Sequence, residues 1–194
     1  MRVGLVIMLA AMLGCSVEQP GQEPAQLDDS QAQAADKEPR LRLMNWAGVE
    51  QLIASHRGKV VVVDLWSSSC LPCLREFPQL VQLSIQFPDD VACISVNLDY
   101  IGLADEPPES LQDPVAEFLE EQQAFFDNVL SSDTDDAVME QVSAASIPVV
   151  MVYGRDGELL ETFKNDDGTY GEEFTYQDHV RPRVKAAMDA ADED

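Results

Sequence analysis

Basic side chains are scarce in this chain. Its 194 residues include 12 lysines and arginines against 36 aspartates and glutamates, which gives a formal net charge of −24, and there are two histidines. Such a surface repels nucleic acid and anionic lipid headgroups, so we expect neither as a partner. The charge keeps a protein soluble, and either a salty environment or a general drift toward acidic surfaces accounts for it.

Long hydrophobic runs are also lacking. The apolar run from Val3 to Leu13 is about eleven residues long, which is too short to span a bilayer as a helix. Arg2 before this run and Gly14-Cys15 after it resemble a bacterial lipoprotein signal, although Leu13 stands where a small residue is more usual. We therefore expect residues 1–14 to be a signal peptide and Cys15 to be lipidated. An ordinary secretory signal is the alternative, and both export the protein.

The signatures of several enzyme classes are missing. The sequence contains no phosphate-binding glycine loop and no nucleophile elbow of the hydrolase type. His56 and His179 lack metal-ligand spacing with the cysteines. We therefore expect no metal and no organic cofactor.

The rest of the chain divides into a polar segment and one domain. Residues 16–40 are rich in Gln, Ala, Asp, Glu and Pro, and they contain too few large apolar side chains to fold, so we expect a disordered tether. Residues 41–191 alternate between strand and helix patterns, which predicts an α/β domain with a central mixed sheet flanked by helices. The predicted strands are 60–66, 91–98, 128–131, 147–153 and 158–163, and the predicted helices follow Asn45 and cover 70–87, 114–126, 135–143 and 176–191.

Two of the four cysteines form a C-x-x-C motif. Cys70-Leu71-Pro72-Cys73 follows the strand 60–66 and opens the next helix. Two thiols on one helical turn can bridge, and the helix N-terminus stabilises the thiolate of the first. Because a thiolate attacks disulfides, the motif predicts thiol–disulfide exchange. Cys93 lies in a strand-like run, where we expect a small buried hydrophobic residue; a third redox thiol is the alternative.

Three separated features resemble the thioredoxin fold and, within it, the membrane-tethered disulfide reductases called TlpA-like. They are the strand that runs into the C-x-x-C motif, the sequence Ser146-Ile147-Pro148-Val149, and the D-G turn at Asp156-Gly157. The second feature resembles the family's cis-proline loop. A C-x-x-C motif alone is moderately specific, whereas its combination with the two later features is specific.

The resemblance implies a role for each residue of the motif and the loop. Cys70 would attack the substrate disulfide, and Cys73 would resolve the mixed disulfide. Pro148, after a cis bond, would pack against the two cysteines, and Ile147 would offer its backbone to the substrate like an added strand. The alternative for Pro148 is that it merely begins an edge strand.

The residues around the cysteines favour a reducing couple. Leu71 and Pro72 add no charge or polar group that would stabilise a thiolate, so we predict a potential on the order of −200 to −300 mV. We expect both residues, together with Trp66, to contribute to the substrate-binding surface.

Two acidic residues are candidates for the proton chemistry. Asp64 lies within a run of valines, and burial would raise its pKa enough for it to accept a proton from Cys73. It matches the buried acid of typical thioredoxins, but Cys93 or Ser95 stands near the position of the lysine that faces that acid. A strand-end aspartate with a local hydrogen bond is the alternative. Glu76 matches an acid frequent in the tethered reductases, and an exposed helical glutamate is the alternative.

These observations predict an exported, lipid-anchored thiol–disulfide oxidoreductase that reduces disulfides in proteins of the bacterial cell envelope. We expect a monomer that faces the periplasm and takes electrons from an upstream thiol donor. A disulfide oxidase or isomerase is one alternative. A binding module that keeps the fold and uses its disulfide structurally is another.

Overall fold

The computed structural model describes residues 39–190, apart from residues 167 and 172, and its centre is a six-stranded sheet. The strands lie in the order β1-β4-β3-β2-β5-β6, and the first four are parallel to one another, whereas β5 and β6 are antiparallel to their neighbours. Their bounds are β1 Arg40–Met44, β2 Val60–Trp66, β3 Val91–Asn97, β4 Asp127–Ser131, β5 Val149–Tyr153 and β6 Leu159–Lys164.

Helices cover both faces of this sheet. The α-helices are α1 Trp46–Ser55, α2 Leu71–Gln86, α3 Gln112–Glu121, α4 Asp135–Gln141 and α5 Arg181–Asp189, with a 3₁₀ turn at Pro108–Leu111 and a π-helical turn at Tyr176–Val180. The predicted α/β architecture with a mixed sheet is confirmed.

The central strands explain why the sheet forms where it does. Every residue of β2 and β3 is buried, and the two strands pair in parallel from Val60 opposite Val91 to Trp66 opposite Asn97. Their β-branched runs suit a strand covered on both faces. Because parallel strands end at one edge, the residues that follow Trp66 and Asn97 come together there.

The buried side chains form one cluster on each face. The Trp66 cluster lies under α2, α3 and α5, and its members include Val62, Trp66, Cys73, Phe77, Cys93, Leu119 and Tyr176. The Ile94 cluster lies under α1 and α4, and its members include Val49, Ile53, Val61, Val63, Leu65, Ile94 and Val138.

Local signals account for several boundaries. Asn45 begins α1, since its side-chain Oδ1 accepts a hydrogen bond from the Gly48 amide at 3.0 Å. The turn between β5 and β6 contains Gly157 at φ 84°, a left-handed conformation that glycine adopts without strain. Both signals were read correctly from the sequence.

Other boundaries differ from the sequence prediction. β1, beginning at Arg40, was not predicted, since its burial alternates without a strong apolar pattern. α3 ends at Glu121 and not near Phe126, because Gln123 adopts a φ of 57° and the chain turns toward β4. The last helix begins with a π-helical turn at Tyr176.

The expected signal peptide at residues 1–14, the lipidated Cys15, almost all of the tether at 16–40 and the last domain residue, 191, lie outside the described residues. Within the part that is described, none of the helices combines the length and the apolar character needed to cross a bilayer.

Candidate redox site

Cys70 and Cys73 form a disulfide at the start of α2. Their Cα atoms are 5.3 Å apart, and Cys70 caps the helix, with its Sγ accepting a hydrogen bond from the Cys73 amide at 3.3 Å. Cys70 is half-buried, whereas Cys73 is 3% exposed. An incoming molecule can therefore reach the Cys70 sulfur more easily than the Cys73 sulfur.

The loop that precedes Cys70 is held by a carboxylate from the neighbouring strand. Asp99 follows β3, and its side chain accepts hydrogen bonds from the Ser68 amide at 2.8 Å and the Ser68 hydroxyl at 2.6 Å. The Ser67 and Ser69 hydroxyls lie 2.9 Å apart. Sequence reasoning missed Asp99. The signal that could have found it is its position just after a parallel strand, at the same edge of the sheet as the motif.

The Ile147–Pro148 peptide bond is cis, as the sequence predicted. Pro148 is buried and Ile147 is half-buried, directly before β5. Ile147 and Cys70 line the same groove, which has a volume of about 1040 Å³. The tertiary structure thus brings the proline loop to the groove that contains the first cysteine.

The other residues predicted to contact substrate differ in exposure. Leu71 is 77% exposed at the tip of α2, and Pro72 is half-buried beside it. Trp66 is fully buried and packs against Phe77 and Phe118, with ring centroids 5.1 and 4.7 Å away. The indole therefore supports the groove from beneath, and a direct contact between Trp66 and substrate stays a prediction.

Asp64 is buried, and its partner comes from the distant C-terminal part of the chain. The Tyr176 hydroxyl donates a hydrogen bond to Asp64 Oδ2 at 2.6 Å. Burial raises the pKa of Asp64 from 3.8 to about 7; the Tyr176 hydrogen bond opposes this rise, and the negative charge of Glu76 adds to it. A carboxyl group with a pKa near neutrality can both accept and release a proton under physiological conditions.

Glu76 is not an exposed helical glutamate. Its Oε2 accepts a hydrogen bond from the Tyr176 amide at 3.0 Å, and its side chain is 20% exposed. Glu76 therefore holds the start of the π-helical turn, which places the Tyr176 hydroxyl on Asp64. Tyr176 itself carried no recognisable sequence signal, since it is separated from Asp64 by 112 positions.

Neither residue near the expected lysine position pairs with Asp64. Ser95 is opposite Asp64 in the sheet, and its hydroxyl donates to Asn128 at 2.7 Å. Cys93 is a buried free cysteine whose Sγ lies 3.7 Å from the Leu80 carbonyl oxygen, and burial raises the pKa of its thiol. Its surroundings are those of the predicted small hydrophobic residue.

The two histidines lie apart from the disulfide in other hydrogen-bonded pairs. His56 Nε2 is 2.8 Å from Asp127 Oδ2, and His179 Nδ1 accepts from the Thr175 amide at 3.0 Å. Across residues 39–190, excluding 167 and 172, no three His, Cys, Asp or Glu side chains are grouped as metal ligands.

Comparison with solved structures identifies the fold. A thioredoxin-like superfamily protein, SPOA0173, superposes with a TM-score of 0.53 at 17% identity, over 70% of this chain and 84% of that one. The thioredoxin domain of the thiol-disulfide oxidoreductase BVU-2223 from Bacteroides vulgatus superposes with a TM-score of 0.50 at 20% identity, over 69% and 83% of the two chains. The chain has the thioredoxin fold.

Comparison with proteins of known function indicates the kind of activity that this chain has. No protein-family model matches the chain. The sporulation thiol-disulfide oxidoreductase A of Bacillus subtilis is 28% identical over 134 residues, which cover 68% of this chain and 76% of that protein. With the Cys70–Cys73 pair at the start of a helix, this similarity supports a thioredoxin-like thiol–disulfide oxidoreductase.

Proposed function

We propose that this protein is an exported reductase of disulfides in bacterial envelope proteins. The observation that carries the proposal is the disulfide at the tip of α2, in which Cys73 is buried and the half-buried Cys70 lines a groove together with Ile147. The greater exposure of Cys70 supports the proposal that Cys70 makes the first attack on the substrate disulfide.

The reaction starts from the dithiol form. The Cys70 thiolate attacks one sulfur of the substrate disulfide, which forms a mixed disulfide and releases the other substrate sulfur as a thiolate. The Cys73 sulfur then attacks Cys70, which forms the Cys70–Cys73 disulfide and releases the second substrate thiolate. Two electrons and two protons pass to the substrate, and a separate dithiol donor must return them.

Asp64 serves in this proposal as the base for the second step. The Cys73 thiol must lose its proton before it can attack, and a buried carboxyl group with a pKa of about 7 is a suitable acceptor. Asp64 lies on the face of the sheet that packs against Cys73. Tyr176 is a positioning residue, since it holds the carboxylate without contacting substrate.

The charges around the disulfide support the reducing direction. Asp99 is bonded to the loop before Cys70, and Glu76 lies one turn after Cys73 in the same helix. Negative charges destabilise thiolates, and a less stable dithiol form is a stronger reductant. Leu71 and Pro72 supply no opposing positive charge.

The proposed location of the protein in the cell envelope is supported by the sequence alone. In the proposal Cys15 carries the lipid and residues 16–40 separate the domain from the membrane. The domain acts as a monomer that faces the periplasm, and its partners are oxidised envelope proteins and an upstream thiol donor.

Equilibration of the protein with defined thiol–disulfide buffers tests the direction. We expect a potential on the order of −200 to −300 mV, whereas a value above about −150 mV would indicate a disulfide oxidase. Cys70→Ser should abolish reduction of a protein disulfide, and Cys73→Ser should accumulate a mixed disulfide. If the fully reduced protein reacts with no disulfide, the binding-module alternative is correct.

A further inference from the structure

Many of the side chains that line the groove beside the disulfide are apolar. The groove extends from the tip of α2 to the loop before β5, and the segment after β3 and helices α3 and α4 form its walls. Two of the apolar side chains are well exposed, Leu71 at 77% and Ile101 at 55%. The apolar lining includes Leu71, Ile101, Leu111, Phe118, Met139 and Ile147.

The charged side chains that line this groove are all acidic. Asp99, Asp135, Asp136 and Glu140 line it, and the described residues of its lining include no lysine, arginine or histidine. The carboxylates lie on two neighbouring segments, because the Asp135 amide donates to the Tyr100 carbonyl at 3.0 Å. A cleft lined by one sign of charge concentrates its field and attracts the opposite charge.

The stability of helix α4 explains only some of the carboxylates that it contributes to the groove. Asp135 and Asp136 lie in the first turn of α4, where carboxylates favour the helix. Glu140 lies in the last turn, where a negative charge opposes the helix dipole, and it is exposed on the groove. Its position therefore costs the helix some stability.

We propose that the groove selects a disulfide-containing polypeptide that carries lysine or arginine next to its oxidised cysteine. This inference rests on the proposed function and names its substrate class. The substrate backbone pairs with the chain at Ile147, and its cysteine sulfur reaches Cys70. The aliphatic stem of a neighbouring lysine or arginine lies over Met139, and its charged end reaches Asp136 and Glu140.

Three disulfide peptides test the proposal. They share one sequence except at two positions on each side of the cysteine, which hold lysine, glutamine or glutamate. The reduced protein is mixed with each peptide, and the second-order rate constant of reduction is measured. We expect the lysine peptide to react at least about tenfold faster than the glutamate peptide at about 20 mM salt, with the ratio falling toward one at about 500 mM.

A small neutral disulfide, hydroxyethyl disulfide, distinguishes a failure of the proposed reductase function from a failure of the proposed substrate class. If it and all three peptides stay oxidised, the proposed reductase function is wrong. If it reacts and the three peptides react at equal rates at low salt, or the glutamate peptide is fastest, the substrate class is wrong while the reductase function stands.

Two double variants separate the groove from the net charge. Asp136→Asn with Glu140→Gln should lower the lysine-to-glutamate rate ratio severalfold. Asp89→Asn with Glu158→Gln removes the same charge from exposed positions at the opposite edge of the sheet and should keep the ratio. Equal loss of the ratio in both variants would mean that overall charge, and not the groove, selects the substrate.

Discussion

The two faces of the sheet differ in chemistry although they share the same strands. On β2, Val61, Val63 and Leu65 enter the Ile94 cluster, whereas Val62, Asp64 and Trp66 point to the other face. β3 repeats the contrast, with Ala92, Ile94 and Val96 on the first face and Cys93, Ser95 and Asn97 on the second.

One face of the sheet mainly stabilises the fold, and the other face holds the groups that can react. The Ile94 cluster consists of apolar side chains that pack against α1 and α4. The opposite face holds the Asp64–Tyr176 pair and the buried Cys73. A buried carboxyl group weakens the fold whenever it is ionised, so the Trp66 face gives up stability for a group that exchanges protons near neutrality.

The largest effect should come from the apolar face. Ile94 is fully buried in the central strand β3, so Ile94→Ala should lower the free energy of unfolding by about 2–5 kcal/mol through lost burial and a cavity. Denaturant unfolding measures this loss. The potential of the Cys70–Cys73 couple should stay unchanged, and a shifted potential would show that the two faces are not separate in function.

Asp64→Asn should raise the free energy of unfolding, and the size of this increase should depend on pH. The folded chain keeps the Asp64 proton up to about pH 7, whereas the unfolded chain releases it near 3.8, so this group lowers stability as pH rises through that window. The variant should therefore match the wild type at low pH and be more stable at pH 8, by on the order of 4 kcal/mol.

The same variant tests the proton chemistry. If Asp64 is the base, Asp64→Asn should slow the step in which Cys73 releases the mixed disulfide, as measured by rapid quenching between pH 6 and 9. Unchanged kinetics over this range would remove Asp64 from the mechanism, even if the stability effect is observed.

Tyr176→Phe should give a smaller and more specific effect. It removes the hydrogen bond that favours the Asp64 carboxylate, which is worth about 1.5–3 kcal/mol for a charged partner, so the pKa of Asp64 should rise by about one to two units above 7. The pH midpoint of the Cys73 step should move to higher pH by the same amount. A rate loss without this displacement would indicate a structural role alone.

Part of the site could be read from the sequence because its signals are local. The C-x-x-C motif follows a buried strand, so its position at the start of α2 follows from the change of pattern at Trp66. The cis bond before Pro148 was predicted from the family resemblance of its loop. The signal peptide, the lipidation of Cys15 and the tether were also inferred from local patterns in the sequence, and they stay predictions.

The partners of these residues could not be read in the same way. Asp99 and Tyr176 are ordinary residues of a loop and a helix start, and each acquires its role through one contact with a distant segment. The sequence indicated that Cys93 or Ser95 stands where typical thioredoxins have the lysine that faces the buried acid, and Ser95 indeed bonds to Asn128 and not to Asp64. Nothing in the sequence indicated that Tyr176 would be the partner of Asp64.

By itself, the sequence determined the order of the strands and α-helices that follow β1, the reactive pair Cys70 and Cys73, and the strongly acidic character of the chain, because these depend on neighbouring residues or on composition alone. Only the tertiary structure decided that Tyr176 holds Asp64, that Glu76 holds Tyr176, and that four carboxylates share one groove with the disulfide. The physical reason is that a hydrogen bond or an electric field depends on distance in space, and the parallel sheet brings together segments that the chain keeps far apart.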